Sequence, residues 1–349
     1  RNGWLPCYPQ FDKRNPIDVL KEARAAGAKT DAEVSDYLGK QIKSGKLKFA
    51  LEDVDAPENH PKVMWVFRGN LVGTSMRGHM YLLKHFLGTH HNVLGEDRAK
   101  GLVQDIKWHE TAPEGKLDLF VNVNLRMDSS ANYADIVLPT AHWYEKYDLT
   151  CSDLHSFLHP FTPAHDPPWE TRHDWDAFKA IAKAFTELAK KHLPDPIEDL
   201  IMQPLITDTP DELAQPFGEV RDWKKGDVDL IPGKTAPKFR VIQRDYTKIL
   251  DKFTTLGPRL CDEKGYGAKG IDCCLKEEYE ALKKNYLVGE KDGRPSMETA
   301  QQVAEIILRI SPESDGEVSH KLFQTLEKQT GLHLTHLIEG DRDIHHNFN

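Results

Sequence analysis

Three short apolar runs, each followed by polar or Gly-containing residues, constrain the fold more than any other feature. They are "VMWVF" at 63–67, "LDLFVNV" at 117–123 and "DIVL" at 135–138. The first has the length and the β-branched and aromatic content of a buried strand. A helical pattern follows it over about 75–87, where apolar residues recur at spacings of three or four. Strand, helix and strand in this order predict an α/β fold with a parallel sheet, its neighbouring strands buried on both faces.

Helix punctuation is most complete near the start of the chain. Asn15 is placed to cap a helix, Pro16 occupies the first helical position, and Gly27 follows the end. Thr30 and Glu33 form the pattern of a capping box, which predicts a second helix directly after the first. The first half of the chain is predicted to form the parallel sheet with helices on both of its faces.

Residues 151–349 are predicted to be a helical and loop-rich extension of the sheet region at 1–150. "DWDAFKAIAKAFTELAKKHLP" predicts a helix capped by Asp174, with four apolar residues facing inward: Phe178, Ile181, Phe185 and Leu188. Further helices are predicted at about 244–253, 276–286, 297–309 and 317–330. Residues from about 193 to 238 are rich in Pro, Asp and Gly, which favours a surface excursion over a sheet.

Charge and composition exclude several classes of protein. The net charge of -9, with basic residues interspersed among acidic ones, argues against a nucleic-acid partner. No run approaches the roughly 18 apolar residues of a membrane span, so direct membrane insertion is not expected. The five cysteines lack the spacing of a zinc or iron–sulfur site, and their odd number fits a reducing cytoplasm. The first residue is not Met, and we expect a piece of a longer protein.

The stretch "RGNLVGTS" at 68–75 lies between the first predicted strand and its helix. In a parallel α/β sheet such a loop meets ligands, and the first N–H groups of a helix attract anions. Gly69 and Gly73 would let the backbone approach a phosphate closely. An ordinary capped turn is the alternative, since the stretch contains neither GxGxxG nor GxxxxGK[ST].

Polar residues also follow the second strand. Asn124, Arg126 and Asp128 lie where that strand ends and a turn begins. Amide and carboxylate groups there could read the edge of a purine base, while Arg126 could balance phosphate charge. A solvated loop is the alternative. Further along, His142 and Glu145 are three residues apart, a spacing that favours a local surface contact over an acid/base pair.

Longer blocks of sequence resemble a known family. "ADIVLP" followed by "WYEK" resembles the sheet domain of the molybdopterin oxidoreductases, the dimethyl-sulfoxide-reductase superfamily. "RGNLVGTSMRGHMYLLKHFLGTHHN", "NLRMDSSANYADIVLPTAHWYEK", "RHDWDAFKAIAKAF" and "DWKKGDVDLIPGKT" are similar to the alpha, catalytic subunits of respiratory nitrate reductases. The resemblance runs nearly end to end. It implies an internal fragment that contains a Rossmann-like pterin-dinucleotide-binding domain.

The resemblance implies a molybdenum bis-(molybdopterin guanine dinucleotide) cofactor, and a [4Fe–4S] cluster in the complete subunit. The metal and cluster ligands are expected outside this chain, so no catalytic or metal-binding residue is expected within it. The residues implied in cofactor binding are Gly69, Asn70, Gly73, Thr74, Ser75, Asn124, Arg126, Asp128 and Asp135. Relatives in the wider superfamily often have Asp at the position of Asn124, which leaves the partner of the guanine open.

The implied reaction is reduction of nitrate to nitrite with quinol-derived electrons, and the fragment alone is expected to be inactive. The implied partners are an iron–sulfur beta subunit and a membrane cytochrome b gamma subunit, which hold the enzyme at the cytoplasmic face of the bacterial inner membrane. Three alternatives stay open: a fragment of a nitrite oxidoreductase, a stand-alone nucleotide-binding α/β protein, and a noncatalytic interaction module that docks through residues 193–238.

Overall fold

The computed structural model describes residues 8–53, 56–74, 81–88, 114–152, 155–203, 221–268 and 270–346, which form a mixed α/β fold. Its helices are α1 Pro16–Ala25, α2 Asp31–Lys43, α3 Leu71–Thr74, α4 Ser129–Tyr133, α5 Asp174–His192, α6 Ile249–Thr254, α7 Lys276–Lys284, α8 Ala300–Ile310 and α9 Gly316–Thr330. Its strands are β1 Val63–Phe67, β2 Leu119–Asn124, β3 Ile136–Pro139, β4 Asp148–Ser152, β5 His155–Phe161, β6 Ile197–Gln203, β7 Lys238–Arg244, β8 Tyr266–Ala268, β9 Ile271–Cys273, β10 Glu290–Lys291 and β11 Arg294–Pro295.

The first three strands form a small parallel sheet in the order β1-β2-β3. The register runs from Val63 opposite Leu119 to Phe67 opposite Val123, and β3 continues it from Ile136 opposite Val121. The prediction of three neighbouring parallel strands is therefore confirmed. Because the strands are parallel, the loops that follow them meet at one edge of the sheet.

Burial of this sheet differs from the prediction. The central strand β2 is buried from Phe120 onward, but Val63, Trp65 and Phe67 of β1 are exposed. The prediction of burial on both faces was wrong for β1 and also for β3, where the first two residues are exposed. Both are edge strands of the described sheet, so neighbouring elements cover them less completely than β2.

Helices α1 and α2 begin as predicted. The side chain of Asn15 accepts a hydrogen bond from the N–H of Ile17, and Thr30 and Glu33 form a capping box. These helices pack against the antiparallel pair β6–β7 in a core that includes Val34, Leu38, Leu200 and Phe239.

The strand β6 corrects the prediction of a surface excursion at about 193–238. Residues Ile197–Gln203 pair along their whole length with Lys238–Arg244, and Leu200 and Ile201 are buried. Its pairing partner follows 35 positions after its last residue, so the local pattern gave little indication of a sheet. Residues 204–220, the middle of the predicted excursion, lie outside the described residues.

Helix α5 matches the prediction in part, because Phe178 and Ile181 are half-buried and Phe178 packs on the ring of Phe67. Its buried apolar residues are the small Ala177, Ala182 and Ala189, whereas Phe185 and Leu188 are exposed. The rings of Trp175 and Phe253 stack between α5 and α6, and the hydroxyl of Thr186 accepts the N–H of Leu250. The cap also differs, because the Nδ1 of His173 accepts the N–H of Trp175, and Asp174 is the first helical residue.

The C-terminal part contains the predicted helices α7, α8 and α9. A core of Leu260, Cys273, Leu275, Tyr279 and Val318 joins α7 and α9 to the short hairpin β8–β9. Helix α9 is capped by Asp315 and ends at Gly331, whose left-handed φ of 73° completes the C-cap.

Candidate functional site

The loop after β1 carries the first predicted site residues. Arg68 has a left-handed φ of 51°, which turns the chain sharply away from the strand. Helix α3 then begins at Leu71, four residues before the predicted start at Ser75, and Ser75 itself lies outside the described residues.

Asn70 joins this loop to the one that follows β2. Its Oδ1 accepts hydrogen bonds from the N–H of Ser130 at 3.1 Å, the hydroxyl of Ser130 at 3.0 Å and the N–H of Gly73 at 3.1 Å. The hydroxyl of Ser130 in turn accepts the N–H of Val72 at 2.9 Å. The N–H groups of Val72 and Gly73 are therefore satisfied within the protein.

Thr74 belongs to the same network. Its N–H and its hydroxyl both donate to the backbone carbonyl of Asn70, at 2.8 and 2.6 Å, while its side chain stays exposed. Ser130 was not predicted. The signal available in the sequence was the position of Ser130 shortly after Asp128, the cap of a short helix. The sequence did not reveal that the partner of Ser130 is Asn70, in the loop after β1.

The two predicted glycines have different surroundings. A β-carbon at Gly73 would lie 2.5 Å from the Nδ2 of Asn70 and 2.9 Å from the Oγ of Ser129, so packing between α3 and α4 requires a small residue. A β-carbon at Gly69 would meet only the carbonyl oxygen of Phe67, at 3.8 Å. Gly69 is therefore the position at which the backbone of this loop is open to a ligand.

The residues after β2 form a second cluster. The Nδ2 of Asn124 donates to Asp128 at 2.8 Å and lies 3.5 Å from the carbonyl of Gly69, so the two loops also meet here. The other carboxylate oxygen of Asp128 caps α4 by accepting the N–H of Ala131 at 2.9 Å. Arg126 is exposed and has no hydrogen bond or ion pair with any residue that the structure describes. Its guanidinium is available to an anion.

Asp135 and two buried side chains lie deeper. Asp135 accepts the N–H of Phe120 at 2.7 Å and so fixes the loop before β3 to β2. Among the described residues, the side-chain amide of Asn122 and the hydroxyl of Thr140 are buried without a hydrogen-bond partner. Unsatisfied buried polar groups are costly, so these side chains call for a partner beyond the described residues.

A buried ion cluster holds the β1 loop against α5. The guanidinium of Arg68 donates to both carboxylate oxygens of Asp174, at 3.2 and 2.9 Å, and to the carbonyl of Ala141 at 3.0 Å. The ammonium of Lys146, which is 2% exposed, lies 2.9 Å from Asp174 and also pairs with Asp148. The sequence did not predict this cluster, which anchors the loop that presents Gly69.

His142 and Glu145 make the local contact that was predicted. The carboxylate of Glu145 accepts the backbone N–H of His142 at 2.9 Å. Within the described residues, no group of three His, Cys, Asp or Glu side chains is arranged to hold a metal ion. In the same part of the chain, every helix is too short or too polar to cross a membrane.

Comparison with known proteins completes this description. Residues 14–184 match the molybdopterin oxidoreductase family, and residues 264–349 match domain V of the nitrate reductase alpha chain. The nitrate reductase alpha chain of Bacillus subtilis is 46% identical over 345 residues, which cover 97% of this chain and 28% of that protein. The alpha subunit from Mycobacterium tuberculosis is 45% identical over 345 residues, 98% of this chain and 27% of that protein. Respiratory nitrate reductase 2 alpha chain of Escherichia coli is 44% identical over 343 residues, which cover 97% of this chain and 27% of that protein. The chain spans little more than a quarter of the length of these relatives.

Proposed function

Because the chain belongs to the molybdopterin oxidoreductase family, with nitrate reductase alpha chains as relatives over nearly its whole length, we propose that it is the cofactor-holding part of a catalytic subunit that reduces nitrate to nitrite. The continuity of that similarity is the observation that carries the proposal. A stand-alone nucleotide-binding protein or an interaction module is not favoured, since the relatives are alpha chains of much greater length.

The cofactor in this proposal is molybdenum bis-(molybdopterin guanine dinucleotide). When bound, it supplies the two-electron redox chemistry of oxygen-atom transfer, while the protein binds and orients it. The residues present fit its nucleotide end. Arg126 offers a guanidinium without a described partner, and Gly69 offers backbone that no described side chain covers. Asn122 and Thr140 offer buried polar groups that have no hydrogen-bond partner among the described residues.

The other predicted residues would act mainly by shaping the loops. Asn70, Gly73 and Thr74 hold the first loop in place, and Asn124, Asp128 and Asp135 hold the second. Ser75 remains a prediction. No residue of this chain is proposed as a ligand of molybdenum or of the [4Fe–4S] cluster, both of which we assign to the rest of the complete subunit.

We further propose that residues 1–150 form a Rossmann-like unit around the dinucleotide, with residues 151–349 as its helical, loop-rich extension. The parallel sheet and both site loops lie within the first range, and the core that α1 and α2 share with β6 and β7 crosses the boundary between the two ranges. The proposed partners are an iron–sulfur beta subunit and a membrane cytochrome b gamma subunit, which would pass electrons from quinol and hold the enzyme at the cytoplasmic face of the inner membrane. The relatives' designation as alpha chains supports a multi-subunit assembly.

Arg126 offers the sharpest test of cofactor holding. In the complete subunit, Arg126→Gln should lower molybdenum content, the guanine nucleotide released by acid and nitrite formation with reduced viologen, whereas Arg126→Lys should retain more of all three. Arg221→Gln, at another exposed arginine, is the matched control. Full cofactor loading in Arg126→Gln would refute the role of Arg126.

A second measurement tests the assignment of the chain as a part of the enzyme. The isolated 349-residue chain should form no nitrite, because the metal ligands and cluster are assigned elsewhere. Turnover by the isolated chain would show that the catalytic centre lies within it. Oxidation of nitrite by the complete subunit with an oxidised artificial electron acceptor, together with no nitrate reduction when reduced viologen is the donor, would instead favour the nitrite oxidoreductase alternative.

A further inference from the structure

Two thiols meet in the C-terminal part of the chain, where nothing above assigns a function. The thiol of Cys274 donates to the carbonyl oxygen of Cys261, with sulfur and oxygen 3.3 Å apart. Next to this contact, the N–H of Leu275 donates to the carbonyl of Leu260 at 2.8 Å. Cys261 ends the 3-10 helix Pro258–Cys261 and Cys274 directly follows β9, so the two hydrogen bonds join these segments at the two cysteines. The Cys274 sulfur therefore lies beside Cys261, whose own side chain packs against the edge of the neighbouring core.

Cys273 has a different environment. Its side chain is buried in the core with Leu275 and Val318. Burial raises the pKa of the Cys273 thiol to about 11, so little of it is the reactive thiolate. Successive side chains of an extended chain point to opposite sides, which places Cys274 away from that core. Cys274 is only partly buried, and together with Cys273 it lines a cavity of about 680 Å³, large enough to admit a small disulfide.

We propose that Cys261 and Cys274 are a reversible thiol-modification site that closes to a disulfide when a low-molecular-weight disulfide reaches the cavity. The Cys274 thiolate attacks one sulfur of the reagent, forms a mixed disulfide and releases one thiol. The Cys261 thiolate then attacks the Cys274 sulfur and releases the second thiol. Two protein thiols lose two electrons and two protons, and the reagent gains both.

Cys261 sets the rate of the second step. Burial, and then the neighbouring Cys274, raise the pKa of the Cys261 thiol, with Glu280 and Asp262 also raising it and Lys276 lowering it. Below that pKa the thiolate fraction rises about tenfold for each unit of pH, so conversion of the mixed disulfide should quicken about tenfold between pH 7 and pH 8.

The experiment uses oxidised glutathione and the full-length protein that contains this chain, followed by alkylation and tryptic peptide mapping. Cleavage gives "LCDEK" at 260–264 and "GIDCCLK" at 270–276. We expect a linked pair of these peptides in the wild type and in Cys273→Ala, in which only Cys274 can supply the second sulfur. Cys274→Ser should lose the linked pair by at least about tenfold, and Cys261→Ser should retain glutathione on Cys274 without conversion.

This readout does not depend on cofactor content or on nitrate reduction, so it can fail while the proposed function holds. Loss of the linked pair in Cys273→Ala would assign the bond to Cys273 and overturn the proposal. Absence of the pair in the wild type, with Cys261 alkylated throughout, would do the same. We also expect dithiothreitol to restore the free thiols of Cys261 and Cys274 in the oxidised wild type, because the modification is reversible.

Discussion

The side-chain oxygen of Asn70 accepts hydrogen bonds from both the N–H and the hydroxyl of Ser130, two residues that are 60 positions apart. Asn70 follows β1 and Ser130 follows β2, so the two loops at the edge of the sheet are held as one unit. Most predicted site residues contribute to that unit through contacts within the protein, which leaves Gly69 and Arg126 as its open positions.

Removing the Asn70 side chain should loosen both loops. Asn70→Ala leaves donors of Ser130 and Gly73 without their acceptor, at a cost of about 1 to 3 kcal/mol. Hydrogen exchange in peptides that cover 70–74 and 128–133 should become about 5- to 150-fold faster. Asn70→Asp keeps an acceptor oxygen and should change exchange much less. Equal protection in the wild type and Asn70→Ala would contradict the role of this network.

Substitutions at Gly73 and Gly69 test two different roles, loop packing at Gly73 and contact with the cofactor at Gly69. Gly73→Val in the complete subunit should displace Asn70 and Ser129, disturb both loops and lower cofactor content more than His142→Ala does. Gly69→Ala has room for its methyl group and should leave loop protection unchanged while lowering cofactor content. Unchanged molybdenum and guanine nucleotide in Gly69→Ala would remove Gly69 from the proposed contact surface.

The ion cluster at α5 predicts that replacing Asp174 costs much more stability than replacing the nearby Asp176. Asp174→Asn leaves the buried Lys146 and the partly buried Arg68 poorly compensated, which should destabilise this region by about 3 kcal/mol. Asp176→Asn removes a carboxylate that is 52% exposed and pairs with Lys179, so the loss should stay within about 0.5 kcal/mol. Hydrogen exchange at the start of α5 measures both, and similar values for the two variants would contradict the prediction.

Glu327 predicts a local response to acid. Three hydrogen bonds to its carboxylate lower its pKa to about 2. The largest effect comes from the backbone N–H of Thr335, followed by the backbone N–H of Leu334 and the hydroxyl of Thr335. The folded pKa lies below the ordinary value near 4.3, so the unfolded segment binds more protons. The stabilisation is complete above that ordinary value and is lost as pH falls toward about 2.

Pepsin cleavage next to Leu332 and Leu334 measures this response. In the wild type, cleavage should increase steeply as pH falls from about 4 toward 2. Glu327→Gln lacks the carboxylate and should already be cleaved readily at the upper end of that range. Identical profiles for the two proteins would show that Glu327 does not hold this turn.

The features that were predictable from sequence are those encoded locally. Asn15, Thr30 and Glu33 lie within one turn of the N–H groups that they cap, so spacing alone revealed them. The three parallel strands followed from alternation along the chain. In the site, the polar residues after β1 and β2 were found because parallel strands end at one edge.

The features that were missed depend on distant partners. Leu200 is buried because β7 and the N-terminal helices cover it, and no local pattern specifies that cover. The fully buried apolar residues of α5 are the small Ala177, Ala182 and Ala189, although larger apolar residues gave the stronger periodic signal. Ser130 acquires its role from Asn70 and Val72, which lie in the neighbouring segment after β1.

The contact between α2 and β7 has a consequence for synthesis on the ribosome. The hydroxyl of Ser35 bonds to the backbone of Phe239, 204 residues later in the chain. At roughly 5 to 20 residues per second, about 10 to 40 s pass before β7 emerges to cover Val34 and Leu38. During that interval the apolar face of the N-terminal helices lacks its final partner, so nascent chains should offer a binding surface to chaperones until β7 emerges.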